Sequence, residues 1–85
     1  MTTVEADKLL KEREESAVFA DGLEEAFIGI GYQFHSPIAL YSKKKAIQCL
    51  IDQGMDEEQA LEYFDYNIAG SYVGDNTPIF LEDDN

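Results

Sequence analysis

The strongest constraint on the fold is a pair of helix patterns that meet at Gly54. Ser42 is a favourable N-cap for the first helix, and Gly54 supplies the left-handed residue that commonly follows a helix. Asp56 and Gln59 have the spacing of a capping box, which predicts a second helix over residues 57–69. Apolar side chains recur on one face of the two helices, at Ala46, Ile47, Leu50, Ile51, Leu61, Phe64 and Ile68. Because the connection is short, we expect an antiparallel helical hairpin.

Two short apolar runs predict strands on either side of this hairpin. Ser36-Pro37 interrupts the preceding element, and residues 38–41 then have the length and composition of a buried strand. Residues 77–81 predict a second strand, in which Pro78 belongs at the start or on a sheet edge because proline donates no backbone hydrogen bond. A sheet of two strands is marginal by itself, so we expect it to pack against the helices.

Residues 22–34 fit two patterns. Asp21 and Glu24 have the spacing of a capping box, and apolar residues follow at helical intervals, at Leu23, Phe27, Ile30 and Phe34. The alternative is a strand, because apolar residues also alternate with Gly29, Gly31 and Gln33. Each glycine weakens a helix by roughly 1 kcal/mol. The helical interpretation is favoured here, with the strand kept as the alternative.

The chain divides into three parts by composition. Residues 1–18 interleave basic with acidic side chains, which predicts an exposed helix over about residues 4–15. The apolar face of this helix is thin, so we expect it to fray or to pack on a partner subunit. Residues 19–81 are expected to form a compact core domain. Residues 82–85 are expected to be a mobile acidic tail.

These patterns predict a helix-dominated α+β fold. In this fold a helical hairpin packs with a small two-stranded sheet and with additional N-terminal helices. The hairpin consists of residues 43–53 and 57–69. Eighty-five residues fit one domain. A chain of this size buries only roughly 60 to 65% of the surface that its unfolded form exposes, so the core must be compact.

The charge of the chain indicates which partners suit it. Eighteen acidic residues against six lysines and arginines give a net charge of −12, more than a small domain needs to stay in solution. Such a field repels nucleic acid and anionic lipid, since binding to phosphate depends on lysine and arginine. A basic protein surface is the natural complement, with faster association at low salt as its signature. The alternative is a coat that only keeps the protein in solution.

The sequence predicts neither secretion nor a membrane span. Cys49 is the single cysteine and cannot form an internal disulfide, and no N-terminal apolar signal segment is present. No apolar stretch approaches the length that a membrane span requires. The cytoplasm is therefore the expected compartment.

The residue types that catalysis commonly uses are sparse. His35 is the only histidine and Cys49 the only cysteine, so a Cys-His dyad or a zinc site would need partners that the chain does not supply. The carboxylates show no calcium-loop or other metal-binding spacing. Gly29 and Gly31 have neither the third glycine nor the lysine of a phosphate-binding loop. We therefore expect no enzyme activity, no cofactor and no metal.

Three carboxylates, Glu58, Glu62 and Asp65, fall on one face of the second predicted helix; we call them the acidic ridge. They are candidates for docking arginine and lysine of a partner. At a rise of 1.5 Å per residue the charges lie roughly 4.5 to 6 Å apart along the axis, whereas duplex phosphates recur about every 1.7 Å. One helix therefore cannot imitate DNA, and several acidic elements would have to combine. The alternative is an ordinary solvated face.

Three tyrosines, Tyr63, Tyr66 and Tyr72, lie beside the acidic ridge or just beyond it. Tyrosine combines an apolar ring with a polar tip and is enriched in protein interfaces, so we include all three in the candidate binding surface. The alternative is that at least two of them complete the core.

Three consecutive lysines, Lys43, Lys44 and Lys45, follow the Ser42 cap. The positive end of the helix dipole makes lysine unfavourable at this position. We therefore expect acidic residues, elsewhere in the fold or in a second copy, to neutralise the cluster.

Three runs in the second half of the chain are distinctive, GMDEEQA at residues 54–60, EYFDYN at residues 62–67 and GDNTPIF at residues 74–80. Through these runs, residues 21–81 resemble a family of small uncharacterised acidic proteins from bacteriophages and bacteria. A phage setting implies a protein that binds and disarms host machinery, as anti-CRISPR and other anti-defence inhibitors do. The compartment would then be the cytoplasm of the host cell. The resemblance supplies no catalytic residues.

The favoured function is therefore stoichiometric binding and inhibition of a host or bacterial-defence protein. The chain would bind the basic surface of that protein, and partial mimicry of DNA is one way in which it could do so. Two alternatives remain. The chain could be a homo-oligomeric accessory protein, for instance a homodimer, with its N-terminal helix as the assembly element. It could also be a small-ligand binder or sponge, which a defined apolar pocket with convergent polar groups would favour.

Overall fold

The computed structural model of this chain describes residues 1–82, and residues 83–85 of the expected acidic tail lie outside that range. The fold is α+β, with three α-helices and one three-stranded sheet in the described part. The helices and strands in chain order are α1 (Thr3–Glu12), β1 (Phe27–Gln33), β2 (Ser36–Ser42), α2 (Lys43–Asp52), α3 (Glu57–Tyr63) and β3 (Ile79–Leu81). A 3₁₀ turn at Glu24–Ala26 precedes β1, and a π-helical turn at Phe64–Ile68 follows α3.

The sheet has the strand order β1-β2-β3. β1 and β2 form an antiparallel hairpin in which Gly31 lies opposite Ile38. β3 pairs with β2 in parallel, from Leu40 opposite Ile79 to Ser42 opposite Leu81. The expected pairing of residues 38–41 with residues 77–81 is thus present. The intervening helices make the crossover that a parallel pair requires.

The prediction of a helix over residues 22–34 is wrong. Residues 27–33 form a strand instead, β1, which is a third strand beside the two that were expected. Only the 3₁₀ turn at Glu24–Ala26 remains of the helical pattern. Gly29 and Gly31 make a helix costly, whereas pairing with β2 satisfies the backbone hydrogen bonds of the same residues. A Cβ atom on Gly31 would lie 3.3 Å from the side chain of Leu40, so glycine also permits close packing in the strand.

The turn between β1 and β2 has an unusual composition. Gln33 and Ser36 are paired, so Phe34 and His35 form a two-residue loop. Their φ angles are +51° and +66°. A two-residue hairpin turn with both φ angles positive normally contains Asn-Gly or a similar pair, because other residues rarely adopt this conformation.

The helical hairpin matches its capping signals. Ser42 accepts a hydrogen bond from the backbone of Lys45 at 3.2 Å, and Gly54 has a φ of +111° after α2. Asp56 and Gln59 form the expected capping box at the start of α3. The second helix departs from the prediction after Tyr63, where an i→i+5 hydrogen bond from the amide of Ala69 to the carbonyl of Phe64, 2.8 Å long, widens the last turn.

The core is organised around five aromatic rings, which we call the aromatic column. Successive ring centroids lie 5.1 to 5.8 Å apart. The order of the rings is Phe19, Phe27, Tyr41, Phe80 and Phe64. Tyr41 on β2 is fully buried, and its hydroxyl accepts a hydrogen bond of 2.8 Å from the amide of Ala20. The aromatic column therefore joins the segment before β1, the sheet and the helical hairpin.

α1 packs beside β1 with a small apolar face. A capping box between Thr2 and Glu5 starts the helix, and Ala6 and Leu10 are buried. The predicted helix over residues 4–15 is shorter at its C-terminal end, where Glu14 has a φ of +58°. The hydroxyl of Tyr32 on β1 accepts a hydrogen bond from Arg13 at 3.3 Å and donates one to Glu15 at 3.1 Å, which ties the end of α1 to the sheet.

Candidate functional site

All six side chains of the predicted binding surface are exposed. The exposed fraction is 83% for Tyr66, 76% for Tyr72 and 42% for Tyr63. The alternative in which at least two of these tyrosines complete the core is therefore wrong. The buried tyrosine is Tyr41, which lies in the aromatic column.

Two of the three tyrosines lie together with one carboxylate of the acidic ridge. Tyr63, Tyr66 and Glu62 line a shallow cleft, which we call the tyrosine cleft. Met55, Gln59 and Asn67 complete its lining. The π-helical turn supplies Tyr66 and Asn67, whereas α3 supplies Tyr63 and Glu62. The cleft therefore combines aromatic surface, hydrogen-bonding groups and a negative charge.

An apolar groove adjoins the tyrosine cleft, and Tyr63 and Asn67 line both. Its volume is about 280 Å³. Phe19 and Phe80 of the aromatic column form part of its wall, together with the apolar side chains of Val18, Leu23, Leu50, Ile68 and Val73. Gln53 and Thr77 are among its polar lining residues. Sequence analysis missed this groove because its walls come from segments that are distant in the chain.

The acidic ridge is not gathered in one cleft. Glu62 lines the tyrosine cleft, whereas Asp65 belongs to the π-helical turn, to which the angular spacing of an α-helix does not apply. The pKa of Lys43 is raised mainly by the hydrogen bond and the charge of Glu82, and also by the charge of Asp65. Glu58 is in the first turn of α3, where a carboxylate stabilises the helix dipole.

One lysine of the cluster is neutralised as expected. The ammonium of Lys43 lies 2.9 Å from the carboxylate of Glu82 and 5.8 Å from the centroid of the Phe64 ring. The hydrogen bond and the charge of Glu82 raise the pKa of Lys43, and Lys43 in turn lowers the pKa of Glu82. Within residues 1–82, no ion pair engages Lys44 or Lys45.

Tyr72 lies in a different cleft from the other two predicted tyrosines. It shares this cleft, of about 600 Å³, with Phe34 of the β1–β2 turn and with Asp75; we call it the aromatic cleft. Phe34 is the most exposed large apolar side chain, at 91%. Sequence analysis missed Phe34 because the helical interpretation placed it in a buried stripe. The alternation of the strand pattern, followed by Ser36-Pro37, was the signal that could have placed it at a turn.

Neither of the two potentially reactive side chains, Cys49 and His35, lines these clefts. Cys49 is buried on α2, and burial together with the charge of Glu25 raises the pKa of its thiol, which disfavours the nucleophilic thiolate. His35 is exposed in the β1–β2 turn. Within residues 1–82, no group of three or more histidine, cysteine and acidic side chains is arranged to hold a metal ion. No helix in the same range has the length and apolar character needed to cross a bilayer.

Comparison with protein-family models, with curated proteins and with solved structures finds no match to this chain. The function of the chain therefore has to be inferred from the chemistry of its own surface.

Proposed function

We propose that this protein binds the basic surface of another protein through the tyrosine cleft and the adjoining carboxylates. The observation that carries the proposal is the exposure of Tyr63 and Tyr66 beside Glu62 in a chain of net charge −12. Moving a large aromatic ring out of water is favourable, and nothing within residues 1–82 covers Tyr66. A complex in which a partner covers both rings would be stabilised by this burial and by the attraction between the partner's positive charges and the carboxylates.

Tyrosine and carboxylate have complementary parts in such an interface. Tyrosine side chains are enriched among the few residues that dominate binding energy, because they bury a large rigid area and keep a hydrogen-bonding hydroxyl. Carboxylates around them increase the association rate with a basic partner and disfavour acidic partners. The apolar groove next to Tyr63 offers space for an apolar side chain of the partner, at a place where an interface commonly buries an anchor residue.

We extend the proposal to inhibition of a host or bacterial-defence protein, in the cytoplasm of the host cell. The resemblance of residues 21–81 to small phage and bacterial proteins supports this step. A protein whose normal ligand is nucleic acid presents a basic surface, and an acidic inhibitor would occupy it by partial imitation of the phosphate charge. The acidic residues of α3 and of other segments would act jointly in this case, since one helix has too low a charge density.

The experiment that tests this proposal is affinity capture from a bacterial lysate at low and high salt, followed by identification of the captured protein and a direct binding measurement with it. The test variant replaces Glu58, Glu62 and Asp65 with glutamine and Tyr66 with alanine. We expect it to lose capture, and we expect the wild-type complex to weaken as salt screens the charges. In a functional assay the identified partner should be inhibited at a stoichiometry near one to one.

A matched control separates a specific surface from net charge. The control variant replaces Glu12, Glu14 and Glu24 with glutamine, which removes the same number of charges at exposed positions away from α3. It should retain capture. Equal loss of capture by the test and control variants would contradict the proposal, because the binding would then depend on overall charge alone.

The apolar groove favours a second candidate function, the binding of a small apolar ligand. Its volume of about 280 Å³ lies just below the range of typical ligand pockets, and Gln53, Asn67 and Thr77 supply polar groups at its wall. A screen of small apolar ligands by thermal shift would test it. A ligand that raises the melting temperature of the wild type, but not of a Val73→Arg variant, would support this function over a protein partner.

A further inference from the structure

We propose that the aromatic cleft binds the guanidinium group of an arginine side chain presented by a basic protein segment. The inference rests on the proposed function, because it specifies one side chain that the basic partner supplies. The site consists of Phe34 at the tip of the β1–β2 hairpin and of Tyr72 and Asp75 on the loop that leads to β3. It is separate from the tyrosine cleft and uses residues of other elements.

The exposure of Phe34 is the first observation. Its ring is 91% exposed, although it lies in a two-residue turn whose two φ angles are positive. A polar pair such as Asn-Gly would relieve both the backbone strain and the exposure of the ring. Strained backbone that persists on a surface is found at ligand-contacting sites, where the strain places a side chain. Folding alone therefore gives no reason for phenylalanine at this position.

The geometry of the loop is the second observation. The side-chain amide of Asn76 donates a hydrogen bond of 2.8 Å to the carbonyl of Pro37, which fixes the loop against β2. The hydroxyl of Thr77 donates a hydrogen bond of 2.6 Å to the carbonyl of Gly74 and accepts one from the amide of Val73 at 2.9 Å. The run GDNTPIF thus builds a closed loop beside the hairpin tip. The backbone of the loop that carries Tyr72 and Asp75 is therefore fixed against β2 before any ligand arrives, which reduces the entropy that binding costs.

The chemistry of the cleft selects a planar cation. Asp75 is its only charged lining residue, and within residues 1–82 no hydrogen bond or ion pair engages this carboxylate. Phe34 and Tyr72 contribute two aromatic rings to the lining, and within residues 1–82 neither ring is paired with another aromatic ring. A guanidinium stacks on aromatic rings and forms paired hydrogen bonds with a carboxylate, whereas the ammonium of lysine is compact and strongly hydrated. The negative charge of the whole chain attracts cations and repels anions, so an arginine-bearing segment is the occupant that fits.

The test is an NMR titration of the ¹⁵N-labelled protein with three blocked pentapeptides, Gly-Gly-Arg-Gly-Gly and its lysine and glutamine counterparts. We expect saturable shifts at Phe34, Tyr72 and Asp75 with the arginine peptide, and upfield shifts of the arginine side-chain protons from the aromatic ring currents. The lysine peptide should bind several-fold more weakly, and the glutamine peptide should give no saturable shift.

Three variants locate the site. Phe34→Leu keeps an apolar side chain but removes the aromatic face, and we expect it to weaken arginine binding about fivefold, with a similar loss for Asp75→Asn. Glu12→Gln is the matched control for Asp75→Asn, because it removes an exposed carboxylate from α1, outside both clefts, and it should leave the titration unchanged. The spectra themselves report whether each variant is folded.

Two results would overturn the inference. One is the absence of saturable shifts at the aromatic cleft. The other is that the arginine and lysine peptides bind equally well and that Phe34→Leu weakens neither. Nonspecific attraction to the acidic surface would then explain the binding. Both results are independent of the proposed function, which depends on capture through the tyrosine cleft. Retained capture by the four-residue variant with a normal arginine titration would contradict the proposed function alone. Loss of capture by that variant without saturable shifts at the aromatic cleft would contradict this inference alone.

Discussion

The ten phenylalanine and tyrosine rings of this chain fall into two groups of five that have opposite environments. One group is the aromatic column, in which each ring contacts at least one other ring and Tyr41 and Phe64 are almost fully buried. The other group consists of exposed rings, which are Tyr32, Phe34, Tyr63, Tyr66 and Tyr72. Tyr32 has a structural role through Arg13 and Glu15, but the other four line surface clefts. Stability therefore explains the first group, whereas the role of four rings of the second is the one that the two binding proposals give them.

The largest expected effect is the loss of a ring from the aromatic column. Phe64→Ala should lower the free energy of unfolding by about 3 to 5 kcal/mol, because it removes the contact with Phe80 and leaves a cavity. Tyr66→Ala, two residues further along, should change it by less than about 0.5 kcal/mol. Urea denaturation followed by circular dichroism measures both. Equal destabilisation by the two variants would break the division between the groups.

The second expected effect has the opposite sign. Replacing Phe34-His35 with Asn-Gly should raise the free energy of unfolding by about 1 to 2 kcal/mol, because these residues adopt positive φ angles with less strain. The same change should abolish the arginine titration of the aromatic cleft. Denaturation and titration of one double variant thus measure both. A loss of stability would mean that Phe34 belongs with the structural rings.

A smaller effect is expected from one hydroxyl within the aromatic column. Tyr41→Phe keeps the ring but removes the acceptor for the amide of Ala20, and should cost about 0.5 to 1.5 kcal/mol. Tyr66→Phe is its counterpart on the surface and should leave stability unchanged. Thermal denaturation of the pair compares a buried with an exposed hydroxyl, and a neutral Tyr41→Phe would show that the ring alone anchors residues 19–20.

The smallest effect concerns the lysines that follow β2. Lys43→Gln should lower the melting temperature at neutral pH because it removes the ion pair with Glu82, whereas Lys44→Gln should raise it slightly. Because folding lowers the pKa of Glu82, the stabilisation that this carboxylate gives the fold is present above the ordinary carboxyl pKa. It is lost as the pH falls through the lowered pKa. The difference between wild type and Lys43→Gln should therefore disappear in acid. A difference that persists in acid would assign the effect to the contact with Phe64 instead.

The parts of the fold that the sequence predicted are those set by neighbours in the chain. Ser42, Gly54 and the Asp56–Gln59 box determine the helical hairpin through hydrogen bonds within one or two turns. β1 escaped prediction because its conformation is decided by pairing with β2, and its apolar residues fit a helical face equally well. The π-helical turn after Tyr63 gave no recognisable signal, so the angular position assigned to Asp65 was unsupported.

The candidate surfaces show the same difference between features set by neighbours in the chain and features set by the tertiary structure. Tyr63, Tyr66 and Glu62 were found because they are close in the sequence, in α3 and the π-helical turn that follows it. The apolar groove and the aromatic cleft combine residues from three or more segments, so their existence depends on the tertiary structure. Tyr72 was selected as part of the first surface for its position in the chain, but the loop places it with Phe34.

The position of Phe80 in the aromatic column has a consequence for folding kinetics. Both hairpins consist of contacts between nearby residues, which form quickly because they enclose short loops. Phe80 touches Tyr41 of one hairpin and Phe64 of the other, and its meeting with Tyr41 requires closure of the long segment between them. We therefore expect the docking of β3 onto the two hairpins to be the slow step of folding.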